Sequence, residues 1–135
     1  MATIYLLDTN ILIAALKGQP DVRLRLEALP LDTIRLSAIV LGELEFGAEK
    51  SAWIERNRAR LATLARGLPL VGVDASVASQ YARVRAYLER QGTPIGANDN
   101  WIAAQALAIR ATLVTDNELE FSRVPDLPLV NWLRG

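Results

Sequence analysis

Near its start the chain reads Ile4-Tyr5-Leu6-Leu7-Asp8, an apolar run that stops at a carboxylate. Apolar residues that follow one another without alternation predict a β-strand buried on both faces, as in a parallel sheet. Asp8 would then lie at the carboxyl end of that strand. This is the edge at which open α/β sheets bind their ligands.

Similar short apolar runs recur along the chain and are separated by longer segments with helical spacing. Further strands are predicted around Ile34 with Leu36, Leu70-Val71 with Val73, Leu113-Val114 and Leu129-Val130. Helices are predicted over residues 11–17, 22–29, 39–49, 53–66, 77–90 and 101–110. Strands that alternate with helices favour parallel crossovers. We therefore expect one α/β domain over residues 1–135, with a central parallel sheet of four or five strands and helices on both faces.

The composition excludes several kinds of chemistry. The chain has 135 residues, of which 51% are hydrophobic, which suffices for one core. It contains no Cys and no His, so disulfides, thiolate nucleophiles and imidazole-based catalysis are excluded. The first residues carry no basic segment, and the first apolar run is too short for a signal or a membrane span. We expect a cytoplasmic protein with no membrane segment.

The charge distribution leaves two interpretations open. The 15 basic and 15 acidic residues cancel, so the net charge does not indicate a nucleic-acid partner. Basic residues nevertheless outnumber acids between Lys50 and Arg90. They are Lys50, Arg56, Arg58, Arg60, Arg66, Arg83, Arg85 and Arg90. This segment is either an ordinary solvated helix surface or a strip that faces phosphates.

Two acids stand where surface acids are not expected. Asp8 also suits the N-cap of the following helix, but Thr9 and Asn10 offer that role too, so Asp8 is available for chemistry. Glu43 has Ile39 and Phe46 among its neighbours at helical spacing, which places it on an inward-turned face. A carboxylate there needs a partner or a bound cation.

The second half of the chain adds further polar groups. Asp99 precedes Ile102 and Ala103 at helical spacing; it is either a favourable acid in a first helical turn, with Asn98 as the cap, or a functional acid. Thr115, Asp116 and Asn117 follow a predicted strand. They form either a simple turn or a supporting group at the same sheet edge as Asp8.

Carboxylates gathered in this way repel one another and require a cation. Hard oxygen ligands suit Mg²⁺ or Mn²⁺. A bound divalent ion lowers the pKa of its water and stabilises the oxygens of a phosphodiester during displacement. The residues therefore favour phosphodiester hydrolysis.

Several blocks of the chain resemble PIN-domain toxins of the VapC type. They are Leu7-Asp8-Thr9-Asn10, the segment 37–51, Ile95-Gly96-Ala97-Asn98-Asp99, and Leu113-Val114-Thr115-Asp116-Asn117 with the segment that continues to Asn131-Trp132. The resemblance implies a toxin–antitoxin endoribonuclease that uses Mg²⁺ or Mn²⁺. It implies an RNA substrate, with initiator tRNA as a candidate, a VapB-type antitoxin and a homodimer.

By the same resemblance, Asp8, Glu43 and Asp99 correspond to the metal-binding acids. The fourth acid is ambiguous, because the family position falls on Asn117 and leaves Asp116 and Glu120 as alternatives; we assign Asp116. Thr9, Asn10, Thr115 and Asn117 are expected as supporting polar groups. Val40 departs from the hydroxyl residue that the family often has. Candidate partner contacts are Trp53, Ile54, Leu61, Leu64 and the segment from Phe121 to Trp132.

Two other classes of function compete with this prediction. A phosphoacceptor signalling domain also gathers acids at a sheet edge and binds Mg²⁺, but it relies on a Lys after a late strand. The only lysines here, Lys17 and Lys50, are not placed for that role. A non-catalytic binding domain with a decayed site is disfavoured because loss of the inward acids would have relieved their repulsion.

Overall fold

A parallel sheet of five strands forms the centre of the fold. The computed structural model describes residues 2–134. The strands are β1 (Tyr5–Leu7), β2 (Ile34–Ser37), β3 (Leu70–Val71), β4 (Thr112–Val114) and β5 (Leu129–Val130). They lie in the order β3-β2-β1-β4-β5, and the pairs are parallel. The predicted α/β class and parallel sheet are confirmed.

Seven α-helices connect the strands in the described part of the chain. They are α1 (Thr9–Leu16), α2 (Pro20–Ala28), α3 (Ala38–Glu49), α4 (Ile54–Gly67), α5 (Ala75–Gln91), α6 (Ala97–Ala108) and α7 (Glu118–Phe121), with a 3₁₀ turn at Leu31–Thr33. Right-handed crossovers in opposite directions from β1 cover both faces of the sheet. Within residues 2–134, none of these helices has the length and apolarity that a membrane crossing requires.

Side-chain caps explain where the principal helices begin. Asp8 caps α1, Ser37 caps α3 through its hydroxyl, and Asp74 caps α5 by accepting from Val77 N at 2.9 Å. Helix α6 begins at Ala97 with Gly96 as its N-cap, so the prediction of Asn98 as the cap is wrong.

The buried apolar residues form one continuous cluster around the sheet. Leu6 and Leu7 are both fully buried, and so are Leu113 and Val114, as strands covered on two faces require. Trp132 is also buried and its ring lies 5.6 Å from that of Tyr5, which fastens the end of the described chain to β1.

The strand order reverses beside β1. From β1 the chain adds β2 and β3 on one side, and it then returns to add β4 and β5 on the other. Such a switch point opens a crevice at the carboxyl ends of the two strands that flank it. Asp8 follows β1 and Thr115 follows β4, so both lie at this crevice.

Candidate metal-binding active site

Asp8 occupies the middle of the crevice and is only 6% exposed. Its Oδ1 accepts a hydrogen bond from Thr9 N at 2.8 Å, and its Oδ2 accepts one from the Thr115 hydroxyl at 2.7 Å. Burial raises the pKa of Asp8, and these hydrogen bonds oppose the rise. Asp8 therefore serves as the helix cap as well, a role that the sequence had left to its neighbours.

Glu43 reaches the same region from α3. Its Oε1 is buried and has no hydrogen-bond partner among the described residues. Burial raises the pKa of Glu43, and the nearby charge of Asp8 adds to the rise. The Thr9 hydroxyl lies close enough to lower this pKa, although it does not meet the geometry of a hydrogen bond. An orphaned carboxylate oxygen of this kind requires a cation or a donor.

Asp99 lies in the first turn of α6. Burial, followed by the negative charges of Asp8 and Glu120, raises the pKa of Asp99 to about 7. A smaller contribution comes from Glu43. The four carboxylates of Asp8, Glu43, Asp99 and Glu120, hereafter the acidic cluster, therefore lie close enough to repel one another.

Glu120 completes the acidic cluster from α7. Its Oε1 accepts from Gly96 N at 2.9 Å, and its Oε2 accepts from Asn117 Nδ2 at 2.9 Å. These bonds, with that of Asn117 the stronger, lower the pKa of Glu120. A Cβ at Gly96 would lie 3.8 Å from Asp99 Oδ2 and 4.0 Å from Glu120 Oε1, so the two acids flank one backbone position.

Asp116 is turned away from the acidic cluster. Its Oδ1 accepts from Asn131 Nδ2 at 2.9 Å and lies 3.8 Å from Arg134 Nε. The structure therefore brings together Asp8, Glu43 and Asp99, as the sequence predicted, but it places Glu120 rather than Asp116 as the fourth acid. The sequence had left Glu120 open as an alternative.

The predicted supporting residues surround these acids. The Thr115 hydroxyl donates to Asp8 and accepts from Asn117 N at 3.0 Å, so it links the ends of β1 and α7. Thr9 and Asn10 open α1 beside Asp8, and the side-chain oxygen of each is buried without a partner among the described residues.

One polar residue of this region was missed in the sequence. Gln105 is fully buried in α6, accepts from the Ser37 hydroxyl at 2.5 Å, and donates to the carbonyl oxygens of Val71 and Gly72 at 3.0 and 3.1 Å. Gln105 has apolar neighbours at helical spacing, Ile102 and Ile109, and neighbours of the same kind identified Glu43 in the sequence. The same reasoning would have identified Gln105.

The predicted partner contacts divide into core and surface. Phe121 and Trp132 belong to the core, and Leu61 is also buried. Trp53 and Ile54 are exposed, so they remain available for a partner. Val40, which departs from the family pattern, is fully buried.

The acidic cluster has the chemistry of a hard-cation site. Its oxygen donors suit Mg²⁺ or Mn²⁺, its charges repel one another, and Glu43 Oε1 has no hydrogen-bond partner among residues 2–134. Within residues 2–134 no three acids already stand in the close arrangement of a preformed metal site. An ion held through few carboxylates and several waters, as is usual for Mg²⁺, fits this open arrangement.

Comparison with known proteins identifies first the class of domain and then the family. The model of the PIN domain matches residues 5–127, so the chain is a PIN-domain protein. It is 43% identical over 131 residues to Ribonuclease VapC2 of Rickettsia felis, covering 96% of this chain and 98% of that protein. It is 38% identical to the tRNA(fMet)-specific endonuclease VapC of Shigella flexneri, covering 95% of this chain and 97% of that protein.

Solved structures give the same result. The chain superposes on the crystal structure of VapBC2 from Rickettsia felis bound to a promoter DNA fragment with a TM-score of 0.90 and 41% identity, over 96% of this chain and 99% of that one. It superposes on DNA-bound VapBC from Salmonella typhimurium with a TM-score of 0.91 and 35% identity, over 97% and 99%. The chain belongs to the VapC family of PIN-domain ribonucleases.

Proposed function

We propose that this chain is the toxin of a toxin–antitoxin pair and hydrolyses RNA phosphodiester bonds with Mg²⁺ or Mn²⁺ held by the acidic cluster. The observation that carries the proposal is the convergence of Asp8, Glu43, Asp99 and Glu120 at the switch point of the sheet. Burial, together with the negative charges of these neighbours, raises the pKa of Asp99 to about 7. Natural selection for stability alone would not retain this arrangement.

The protein's own residues prepare the site in three ways. Thr115 fixes the Asp8 carboxylate, while Asn117 and Gly96 N fix that of Glu120. Glu43 presents an oxygen without a competing donor. Asp99 would be held as a carboxylate beside a bound cation, because the positive charge would offset the repulsion from the neighbouring acids. A bound divalent ion supplies stabilisation of the phosphate oxygens and a more acidic water.

Cleavage of labelled RNA with Mg²⁺, with Mn²⁺ and with EDTA tests this function. We expect metal-dependent cleavage that falls at least about 100-fold in Asp8→Asn, because an acid of the cluster is lost. Asp116→Asn is the matched control, since Asp116 lies outside the acidic cluster, and it should cleave normally. Cleavage in EDTA, or unchanged cleavage by Asp8→Asn, would contradict the assignment.

The substrate and partners follow from the relatives. The similarity to endonucleases specific for tRNA(fMet) supports initiator tRNA as the substrate. The solved VapBC complexes support a VapB-type antitoxin, and we also propose a homodimer. Sequencing of RNA ends after brief induction in cells identifies the RNA that is cut. Sedimentation of the purified chain, alone and with its antitoxin, tests both assemblies. The cytoplasmic location stays a prediction.

A further inference from the structure

One face of α3 continues outward from the acidic cluster. Phe46 and Lys50 follow Glu43 by three and seven residues, which turns them only about 60° and 20° from it around the helix. Phe46 is 62% exposed although it is a large apolar side chain. The exposed ring therefore begins one helical turn from a proposed metal-binding acid.

Two exposed aromatic rings, one in α3 and one four residues after its end, are each accompanied by a cation. Lys50 Nζ lies 4.7 Å from the centre of the Phe46 ring, and the Arg56 guanidinium carbon lies 5.5 Å from that of Trp53. Trp53 is 63% exposed. We call these four residues the aromatic platform. At such exposure each ring keeps a face open to solvent beside its cation.

The acids of α3 that lie near the aromatic platform are engaged elsewhere. Around the helix, Glu49 lies about 60° from Phe46 and about 100° from Lys50, and Glu45 lies about 100° from Phe46. Glu49 is also paired with Arg58 at 3.6 Å. The platform thus combines open rings with two cations. Of the carboxylates beside it, Glu49 is already paired with Arg58 and Glu43 belongs to the proposed metal site.

We propose that the aromatic platform binds unpaired bases of the RNA that is cleaved at the acidic cluster. Bases stack on Phe46 and Trp53, and Lys50 and Arg56 contact the neighbouring phosphates; aromatic rings with adjacent cations bind single strands in this manner. This inference rests on the proposed function. RNA is favoured over a protein partner because each ring is coupled to a cation and Phe46 lies one helical turn from Glu43.

Stacking predicts a distinctive pattern of variant effects. Binding of a fluorescent unpaired oligouridine is measured by anisotropy in Ca²⁺, which neutralises the carboxylates, and a gel verifies that the RNA stays intact. We expect Phe46→Ala and Trp53→Ala each to weaken binding about 5- to 150-fold. Phe46→Trp should retain binding, whereas Phe46→Leu should not, because leucine is apolar but has no π-face.

The cations are tested separately by salt. We expect Lys50→Gln and Arg56→Gln each to lower the slope of log affinity against log salt by about 0.7, the value for one phosphate contact on a single strand. Leu24→Ala is the matched control, because Leu24 is 64% exposed on α2 and lies outside the platform. It should change neither the affinity nor the slope.

Several outcomes would contradict the proposal that the aromatic platform binds RNA. They are failure of the unaltered protein to bind the oligonucleotide, wild-type affinity in both alanine variants, and full retention of binding by Phe46→Leu. Variants that lose the antitoxin but keep RNA would identify a protein interface and overturn it as well. Cleavage by the unaltered protein is measured independently. A wrong assignment of the RNA-binding residues is therefore distinguishable from absence of the proposed ribonuclease activity.

Discussion

Thr115 holds the site together through a single hydroxyl group. It donates to Asp8 Oδ2 at 2.7 Å and accepts from Asn117 N at 3.0 Å, and it is fully buried. We expect Thr115→Val to weaken Mn²⁺ binding about 10- to 100-fold, because groups that orient metal ligands contribute that much. Calorimetric titration with Mn²⁺ measures the change.

Thr33→Val provides the comparison for this variant. Thr33 is also a buried threonine, but its hydroxyl bonds only to the Pro30 carbonyl, before the start of β2 and thus at the opposite edge of the sheet from the acidic cluster. It should lose some stability and keep its Mn²⁺ affinity. Equal Mn²⁺ affinities in the two variants would show that Thr115 does not position Asp8.

Asp99 predicts how stability depends on pH in the metal-free protein. Its pKa is 3.8 when unperturbed and about 7 in the folded protein, so the folded state binds more protons between these values. Stability should therefore fall as pH rises from about 4 to 7. The loss due to Asp99 should be about 1 to 2 kcal/mol, since the side chain is only half-buried and water screens its repulsion.

Urea unfolding in EDTA across this pH range checks the prediction. Asp99→Asn carries no titrating group, so its stability should fall less over the same range. Because the other acids are common to both proteins, the difference between the two curves isolates Asp99. Parallel curves would mean that the Asp99 carboxyl titrates at an ordinary pKa.

At the scale of elements, Gln105 fixes α6 against α3. It bonds to Ser37, the cap of α3, and it lies six residues from Asp99, while Ser37 lies six residues from Glu43. We expect Gln105→Met to cost about 2 to 4 kcal/mol of stability, since the partners of its amide are left unsatisfied. Chemical denaturation measures this loss, and Mn²⁺ titration should show weaker binding.

A double-mutant cycle separates this bond from general disruption. Ser37→Ala removes the same bond and also the cap of α3, at a further cost of about 1 kcal/mol. The double variant should lose less stability than the sum of the two single changes, because both remove one shared interaction. Additive losses would show that the bond does not couple the helices.

Helix α7 selects the acid that faces the site. It orients Glu120 to Gly96 N and Asn117, whereas Glu118 accepts from Asn131 Nδ2 at 3.1 Å. We expect Glu120→Gln to lower RNA cleavage at least about 10-fold, because an anionic member of the acidic cluster is lost. Glu118→Gln, the same change on the same helix, should cleave normally. Similar rates in the two variants would contradict the assignment of Glu120.

The pattern of apolar residues predicted the five strands and the six longer helices. Each of the five apolar runs became a strand. The inner strands β1, β2 and β4 are mostly buried, as an uninterrupted apolar run predicts, whereas β3 and β5 at the edges of the sheet are only partly buried. The short helix α7 and the 3₁₀ turn at Leu31–Thr33 were missed, since so few residues complete no repeating pattern. The start of α6 was misplaced because Asn98 has the chemistry of a cap, whereas the backbone turns at Gly96.

At the scale of the whole molecule, the sequence could place acids on elements but could not orient them. Asp8 was predictable because it directly follows a buried strand. Glu43 was predictable because apolar residues surround it at helical spacing, although one of them, Phe46, is exposed rather than turned inward. The choice between Asp116 and Glu120 depends on the turn after β4 and on Asn131, which arrives from beyond β5 to hold Asp116. A contact between such distant segments has no local signature in the sequence.

At this scale we also expect the stability of the whole molecule to depend on divalent metal. Its carboxylates converge from β1, α3, α6 and α7, so a bound cation would join elements far apart in the sequence. A ligand that binds only the folded state adds about 2.7 kcal/mol at 100 times its dissociation constant. We therefore expect saturating Mn²⁺ or Mg²⁺ to raise the melting temperature by at least about 5 °C at neutral pH, and EDTA to reverse the change.

The increase should become smaller below pH 7, because protons compete with the cation for Asp99. Asp8→Asn should lose most of the increase, whereas Asp116→Asn should retain it. Sodium chloride at matched ionic strength controls for screening of the repelling charges. A melting temperature that responds equally to sodium and to divalent ions would mean that the carboxylates are merely screened, and the acidic cluster would then hold no specific ion.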